Sequence, residues 1–120
     1  MPNTTVLVVD DSKVSRMMIT AIIKDQRSDW TIIEAGCGGD AIEASKDKAI
    51  DLCIIDYNMP GMDGLELATK LKESFPSTPM SLLTANVQES TKEKAEAIGI
   101  RFTRKPITDE RVTSILDLVG

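Results

Sequence analysis

Short apolar runs alternate along the chain with longer segments in which apolar residues recur every three or four positions. The runs are rich in Val, Ile and Leu, which is typical of buried strands, whereas the longer segments have the period of amphipathic helices. The pattern predicts a strand followed by a helix, repeated along the whole sequence. The predicted strands are Thr5 to Asp10, Trp30 to Ala35, Leu52 to Asp56, Met80 to Thr84 and Ile100 to Thr103, and the predicted helices are Ser12 to Asp25, Gly39 to Lys46, Gly64 to Ser74, Val87 to Ile98 and Thr108 to Leu118.

This alternation is typical of the α/β class. Right-handed crossovers between parallel strands place helices on both faces of the sheet, so we expect a three-layer fold. Local signals support the helices: Asp63 with Glu66, and Asn86 with Glu89, have the spacing of capping boxes, and Gly99 lies where a left-handed residue would end the fourth helix.

Two of the predicted helices have a clear apolar face at the helical period. We expect both faces to pack in the core, including the adjacent methionines of the first helix. The faces consist of Val14, Met17, Met18, Ala21 and Ile22 in the first helix and of Val112, Ile115, Leu116 and Val119 in the last.

The fourth predicted helix is polar around nearly its whole circumference. Its plausible anchors are Val87, Thr91, Ala95 and Ile98. Because so little of its surface can be buried, we expect this helix to be held loosely.

Length and charge narrow the functional classes. The 120 residues suit one domain covering residues 1–120, and the net charge of -5 disfavours direct binding of nucleic acid. Neither a membrane span nor a signal peptide is visible, which predicts a cytoplasmic protein without membrane insertion. Cys37 and Cys53 are predicted to be reduced thiols.

The absence of histidine excludes Ser/His/Asp and Cys/His catalysis, and any phosphohistidine would have to belong to a partner.

Charged and polar side chains stand where the predicted strands end. Asp10 and Asp11 follow the first strand, Asp56 ends the third, Thr84 ends the fourth, and Lys105 follows the fifth. The carboxyl ends of parallel strands meet at one edge of the sheet, where ligands of open α/β sheets collect. Three carboxylates held together would repel one another unless a hard divalent cation neutralised them. Oxygen ligands favour Mg²⁺, with Mn²⁺ as a substitute.

Asp56 is the best candidate for a nucleophile toward phosphorus, because a bound cation would shield its charge from an incoming phosphoryl group. In this interpretation the main-chain carbonyl of Asn58 also meets the metal, while Lys105 and Thr84 contact the phosphoryl oxygens. Pro106 favours a cis peptide bond after Lys105. Taken singly, these residues would be read as caps, turn residues or solvated charges, so the hypothesis depends on their joint placement.

At these positions the sequence closely resembles the receiver domain of two-component response regulators, including those of chemotaxis, from about Thr5 to Leu118. The resemblance implies a flavodoxin-like sheet with strand order 2-1-3-4-5. It also implies that Asp56 accepts a phosphoryl group from a histidine kinase, with Asp11, Asp56 and the Asn58 carbonyl on Mg²⁺ and Asp10 acting mainly through water. The motifs that carry it are Val8-Val9-Asp10-Asp11-Ser12, Asp56-Tyr57-Asn58-Met59-Pro60-Gly61-Met62-Asp63-Gly64, Leu83-Thr84-Ala85 and Lys105-Pro106.

The resemblance further implies a switch in which Thr84 and Phe102 move together on phosphorylation. Their movement would reshape the face formed by helix 4, strand 5 and helix 5, which then regulates binding of a downstream protein. Phe102 stands where Tyr is common and lacks its hydroxyl; a purely core-filling role for Phe102 remains an alternative. The expected contacts of the phosphodonor, a sensor histidine kinase or a phosphotransfer protein, are Lys13, Ser15, Arg16 and Met17.

In this interpretation the chain is not an enzyme beyond its own phosphotransfer and autodephosphorylation, and we hypothesise that Asn58 and Asn86 tune the lifetime of the phosphoryl group. Three other interpretations of the sequence are possible. A magnesium-dependent aspartyl-phosphate phosphatase would need an aspartate where Asn58 stands. A flavodoxin would not place Asp10 and Asp11 beside a phosphate. The presence of the acidic pair together with Asp56, Thr84 and Lys105 argues against a non-phosphorylated docking module of the same fold.

Overall fold

The computed structural model of the chain describes residues 4–85 and 88–119. Strands and helices alternate along these residues as the sequence predicts, and most ends agree within one or two positions. The strands are β1 Thr5–Val9, β2 Thr31–Ala35, β3 Leu52–Asp56, β4 Met80–Thr84 and β5 Arg101–Arg104, and the helices are α1 Lys13–Gln26, α2 Gly38–Ser45, α3 Gly64–Ser74, α4 Glu89–Ala97 and α5 Asp109–Leu116.

The strands form one parallel sheet in the order β2-β1-β3-β4-β5, which confirms the predicted topology. β3 and β4 are buried along their whole length, and β1 is buried from its second residue onward. Burial on both faces explains why these strands read as continuous apolar runs. Val9 pairs with Ile55, so the residues that follow β1 lie level with the end of β3.

Two apolar clusters, one on each face of the sheet, form the core. The first lies under α2, α3 and α4 and contains Ala41, Leu67 and Leu71. The second lies under α1 and α5 and contains Ile19 and Ile23. The prediction for the last helix is confirmed in this second cluster, where Val112, Ile115 and Leu116 are buried and Val119 is half-buried.

The prediction for the apolar face of α1 is wrong. Val14, Met17 and Met18 are 65%, 58% and 45% exposed, and only Ile22 of the predicted face packs against the core. The buried side chains are those of Ile19, Thr20 and Ile23. Two neighbouring stripes of α1 satisfy the same helical period, and the period alone does not tell which stripe meets the sheet.

The fourth helix is held by few side chains, as expected. Thr91 and Ala95 are buried, whereas Ile98 is 36% exposed. Val87 and Asn86, and with them the predicted capping box, lie outside the described residues. The described part of the helix therefore contacts the sheet over only two turns.

Two predicted helix caps are confirmed. The Asp63 carboxylate accepts a hydrogen bond from the Glu66 amide at 2.8 Å at the start of α3. Gly99 has a φ of 75° after α4, and its amide donates to the Glu96 carbonyl at 3.0 Å while the Ile100 amide donates to that of Ala95 at 2.9 Å. This pair of bonds ends α4 in a Schellman motif.

The remaining general predictions concern the thiols and the membrane. Cys37 and Cys53 are both free, as predicted. Within residues 4–85 and 88–119, no helix combines the length and the apolar character needed to span a bilayer.

Candidate functional site

The parallel sheet gathers the predicted site residues at its carboxyl edge. Asp10 follows β1, Asp56 and Thr84 end β3 and β4, and Lys105 follows β5. These residues are up to 95 positions apart in sequence, yet the side chains of Lys105 and Asp10 make direct contact. The predicted convergence of strand ends is therefore observed.

Three carboxylates form the centre of the site. One oxygen from each of Asp10, Asp11 and Asp56 lies within 4.8 Å of the others. Asp10 and Asp56 are 1% and 5% exposed, whereas Asp11 is exposed. A compact group of carboxylate oxygens with one side open to solvent fits Mg²⁺, which is bound by few protein oxygens and keeps several waters.

Lys105 is the cation of the site. Its Nζ lies 3.4 Å from Oδ2 of Asp10 and 3.4 Å from Oδ1 of Asp56. Its amide donates to the Thr84 carbonyl at 2.8 Å, which ties the segment after β5 to the end of β4. The Lys105–Pro106 peptide bond is cis, as the sequence suggested. One ammonium thus offsets part of the charge of three carboxylates.

The electrostatics of Asp56 reflect this imbalance. Burial is the largest cause that raises the pKa of Asp56 to about 6, and the charge of Asp10 adds to the effect. Lys105 acts in the opposite direction, by its charge and by a hydrogen bond. The pKa of Asp56 remains high because desolvation and repulsion together outweigh the attraction of Lys105.

Gly64 sets the backbone position of Asp56, a role that the sequence analysis missed. A Cβ at position 64 would lie 2.3 Å from the Asp56 carbonyl oxygen and 2.8 Å from Cα of Tyr57. The Gly64 amide donates to the Tyr57 carbonyl at 2.9 Å. The first turn of α3 can approach β3 this closely only without a side chain. The sequence signal that could have indicated this role is a glycine directly after the capping residue Asp63.

Asn58 and Thr84 link the loop after β3 to the end of β4. The Asn58 side-chain amide lies 3.5 Å from the Thr84 hydroxyl, at the limit of a hydrogen bond, and Thr84 is fully buried. Asn58 is exposed and stands two residues after Asp56, and its part in the lifetime hypothesis stays a prediction. Asn86, the second residue of that hypothesis, lies outside the described residues, so its role stays a prediction.

Asp10 is held in place on several sides. Its amide donates to the Ala35 carbonyl at 3.1 Å, and its Oδ1 accepts a hydrogen bond from the Ser12 amide at 2.9 Å. Its carbonyl accepts a hydrogen bond of 2.6 Å from Nη1 of Arg16, whose Nε lies 3.2 Å from Oε1 of Glu34. The sequence predicts that Arg16 contacts the phosphodonor, which stays a prediction; in the structure its guanidinium is directed at the backbone of the site. The contact with Glu34 could not be predicted because packing decides which side of α1 faces β2.

Phe102 lies on β5 opposite Leu82 and is half-buried. Its side chain lines a small cavity of about 250 Å³ together with Glu89, Lys92 and Arg104. Phe102 therefore stands between the sheet and the start of α4, and is not a member of either core cluster.

Comparison with known proteins identifies the family. The model of the response regulator receiver domain matches residues 6–117. The chain belongs to the response regulator receiver domain family. The receiver is 32% identical to the two-component response regulator ARR7 of Arabidopsis thaliana, in an alignment that covers 98% of the chain and 63% of that regulator. It spans about half the length of the curated relatives it matches.

Solved structures agree with this assignment. The receiver superposes on the chemotaxis protein CheY4 of Vibrio cholerae with a TM-score of 0.87 and 28% identity, over 99% of this chain and 100% of that one. It also matches a CheX-CheY-BeF3-Mg²⁺ complex from Borrelia burgdorferi with a TM-score of 0.87 and 26% identity, over 97% and 88% of the two chains.

Proposed function

We propose that the receiver is a phosphorylation-controlled signalling switch in which Asp56 accepts a phosphoryl group. The observation that carries the proposal is the placement of a buried Asp56 beside two further carboxylates and 3.4 Å from the Lys105 ammonium. A lone buried carboxylate would be a structural residue, but this arrangement can bind a cation and compensate an incoming anion. The proposal takes residues 1–120 as one receiver unit with a cytoplasmic location.

The metal site in this proposal consists of the carboxylates of Asp10, Asp11 and Asp56 and the main-chain carbonyl of Asn58, with Asp10 acting mainly through water. Bound Mg²⁺, or Mn²⁺ in its place, would neutralise the carboxylates and polarise the phosphoryl oxygens. The compact oxygen cluster supports this assignment.

The transfer step uses the residues already in place. An oxygen of Asp56 forms a bond to phosphorus while the P–N bond of a donor phosphohistidine breaks, and the released electron pair stays on the imidazole nitrogen, which takes up a proton. Lys105 compensates the charge of the phosphoryl oxygens, and the Thr84 hydroxyl donates a hydrogen bond to one of them. Hydrolysis later returns Asp56 to its free form, which limits catalysis to the receiver's own phosphotransfer and dephosphorylation.

The test is magnesium-dependent labelling of the receiver by acetyl phosphate, followed by intact-protein mass spectrometry. We expect one added phosphoryl group that disappears in Asp56→Asn and when a chelator removes the metal. Asp63→Asn is the matched control, because Asp63 lies in the same loop and caps α3, and asparagine is an equally good cap. Equal labelling of the Asp56→Asn variant would overturn Asp56 as the acceptor, and no labelling of the unmodified receiver would favour a docking module that is not phosphorylated.

The exposed stripe of α1 supports docking of the phosphodonor there. Val14, Met17 and Met18 lie together on the first turns of α1, next to Asp11. Exposed apolar side chains in one patch are typical of protein contact sites, and Lys13 and Ser15 border the patch. We expect Met17→Lys to slow transfer from a phosphorylated histidine phosphotransfer domain while labelling by acetyl phosphate is unchanged. Equal slowing in both assays would place the effect of Met17 at the site itself.

The output in this proposal is a change in the face formed by α4, β5 and α5. Phosphorylation would draw Thr84 toward the phosphoryl group and open space that Phe102 can fill. The weak anchoring of α4 by Thr91 and Ala95 supports a low cost of movement. A downstream protein that binds this face would then distinguish the two states.

A further inference from the structure

The guanidinium of Arg16 joins α1 to β2 across the backbone of the acidic loop. Its Nη1 donates a 2.6 Å hydrogen bond to the carbonyl of Asp10, and its Nε pairs with Oε1 of Glu34 at 3.2 Å. The Arg16 side chain is only 18% exposed. A hydrogen bond this short from a charged donor is among the stronger ones in proteins.

The carbonyl that Arg16 contacts belongs to the peptide unit between Asp10 and Asp11. The Asp10 side chain is held independently by the Ser12 amide and by Lys105. Within residues 4–85 and 88–119, the Asp11 side chain makes neither a hydrogen bond nor an ion pair. The orientation of the peptide unit before Asp11 therefore sets the direction of its Cα–Cβ bond, from which the carboxylate reaches the site.

We propose that Arg16, held by Glu34, is a positioning residue for the metal site. Its hydrogen bond fixes the Asp10–Asp11 peptide and so keeps the exposed Asp11 carboxylate directed at the cation. The inference rests on the proposed function, because it takes Asp11 as a metal ligand. It assigns to Arg16 a role inside the receiver in place of contact with the phosphodonor.

The geometry requires arginine at position 16. The Nε and Nη1 groups point in different directions and reach β2 and the acidic loop at the same time, which one ammonium cannot do. Gly36 leaves room for this arrangement, since a Cβ there would lie 3.3 Å from Nη1 of Arg16. Lysine would preserve the charge and lose one of the two contacts.

Positioning and simple charge predict opposite effects on metal binding. Arg16 is a cation near three carboxylates, so its removal would strengthen Mg²⁺ binding if only its charge mattered. If it positions Asp11, its removal must weaken binding, because one ligand loses its preferred direction. The sign of the change therefore separates the two roles.

The experiment is a calorimetric titration of the unphosphorylated receiver with MgCl₂. We expect Arg16→Gln to weaken Mg²⁺ binding about tenfold, as is typical for loss of a group that orients a metal ligand, and Arg16→Lys and Glu34→Gln to weaken it less. Arg27→Gln is the matched control, because it removes an ion pair of 3.1 Å to Asp117 at the other end of α1. We expect this control to bind Mg²⁺ like the unmodified receiver.

The outcomes separate this inference from the proposed function. Unchanged or tighter binding in Arg16→Gln, with weaker binding in Asp11→Asn, overturns the positioning role alone. A receiver that does not bind Mg²⁺, or whose binding is insensitive to Asp11→Asn, overturns the metal site and the inference together. Urea midpoints of each variant show whether it is folded, and Arg16→Lys and Glu34→Gln decide the inference if Arg16→Gln does not fold.

Discussion

The charge of Asp56 is expected to destabilise the receiver when no metal is bound, so Asp56→Asn should stabilise it near neutral pH. Burial and the neighbouring carboxylate raise the pKa of Asp56 from 3.8 to about 6. A rise of roughly two pKa units corresponds to about 3 kcal/mol of folding free energy once the group is ionised in both states. Asparagine has nearly the same shape and removes this cost.

The sign of the pH dependence follows from the raised pKa. Well below the unfolded-state pKa of 3.8, the Asp56 carboxyl is protonated in both states and costs nothing. Stability is lost as the pH rises from about 4 to about 6, because the unfolded chain ionises first, and it stays lower above pH 6. The advantage of Asp56→Asn is therefore expected to be about 0.5 kcal/mol at pH 4 and to reach about 3 kcal/mol at pH 7.5.

Urea unfolding in EDTA, followed by circular dichroism at pH 4 and pH 7.5, measures this difference. With typical urea dependences, about 3 kcal/mol shifts the midpoint by at least about 1 M. Asp11→Asn is the control. Because the Asp11 carboxylate is exposed, its desolvation costs little, and the gain in stability from this substitution should be smaller than that from Asp56→Asn. The reasoning is refuted if Asp56→Asn is no more stable than the unmodified receiver at pH 7.5, or if its advantage is the same at both pH values. Addition of Mg²⁺ should narrow the difference, because a ligand at about 100 times its Kd stabilises the folded state by about 2.7 kcal/mol.

Three further predictions address other parts of the receiver. Gly64→Ala should cost about 1–3 kcal/mol in urea unfolding and slow labelling of Asp56, because its Cβ would meet the Asp56 carbonyl at 2.3 Å; full stability would contradict the close approach of α3. Thr84→Ala should keep the labelling but lose the NMR shift changes of α4 and β5 on addition of BeF₃⁻ and Mg²⁺, and intact shifts would exclude the coupling. Burial raises the pKa of the Cys53 thiol to about 12, so at pH 8 iodoacetamide should modify Cys37 and reach Cys53 only on unfolding; rapid modification of Cys53 in the native state would show local opening.

The meeting of the site residues could be predicted because it follows from chain order and chemistry, whereas the strand order was implied by the resemblance to receiver domains. A polar residue directly after a fully apolar strand can only lie at the edge of the sheet, and parallel strands share that edge. Asp10 and Asp56 satisfy this condition, whereas Thr84 and Lys105 end or follow strands that contain polar residues and were placed by chain order. Their joint placement needs no knowledge of any side-chain contact, so the sequence was sufficient.

The face of α1 and the role of Arg16 could not be predicted for a different reason. Ile19 with Ile23 and Met18 with Ile22 have the same spacing, and only packing against the sheet and α5 decides which pair is buried. The Arg16–Glu34 pair spans 18 positions and depends on which side of α1 faces β2. The need for glycine at position 64 could not be predicted either, because it comes from the short distance between α3 and the backbone of Asp56.

The two unexpected features of α1 explain each other. The first turns of this helix carry Arg16 on the side that faces β2, where it holds the acidic loop, and carry Met17 and Met18 on the side that faces solvent. The Arg16–Glu34 pair anchors the start of α1. Met17 and Met18 are therefore not needed to hold the helix and are free to contact a partner. The net charge of -5 opposes association of two copies through this stripe, whereas a phosphodonor with a complementary apolar surface would still bind there. A partner that docks on α1 would then meet carboxylates whose loop is already held by the same helix.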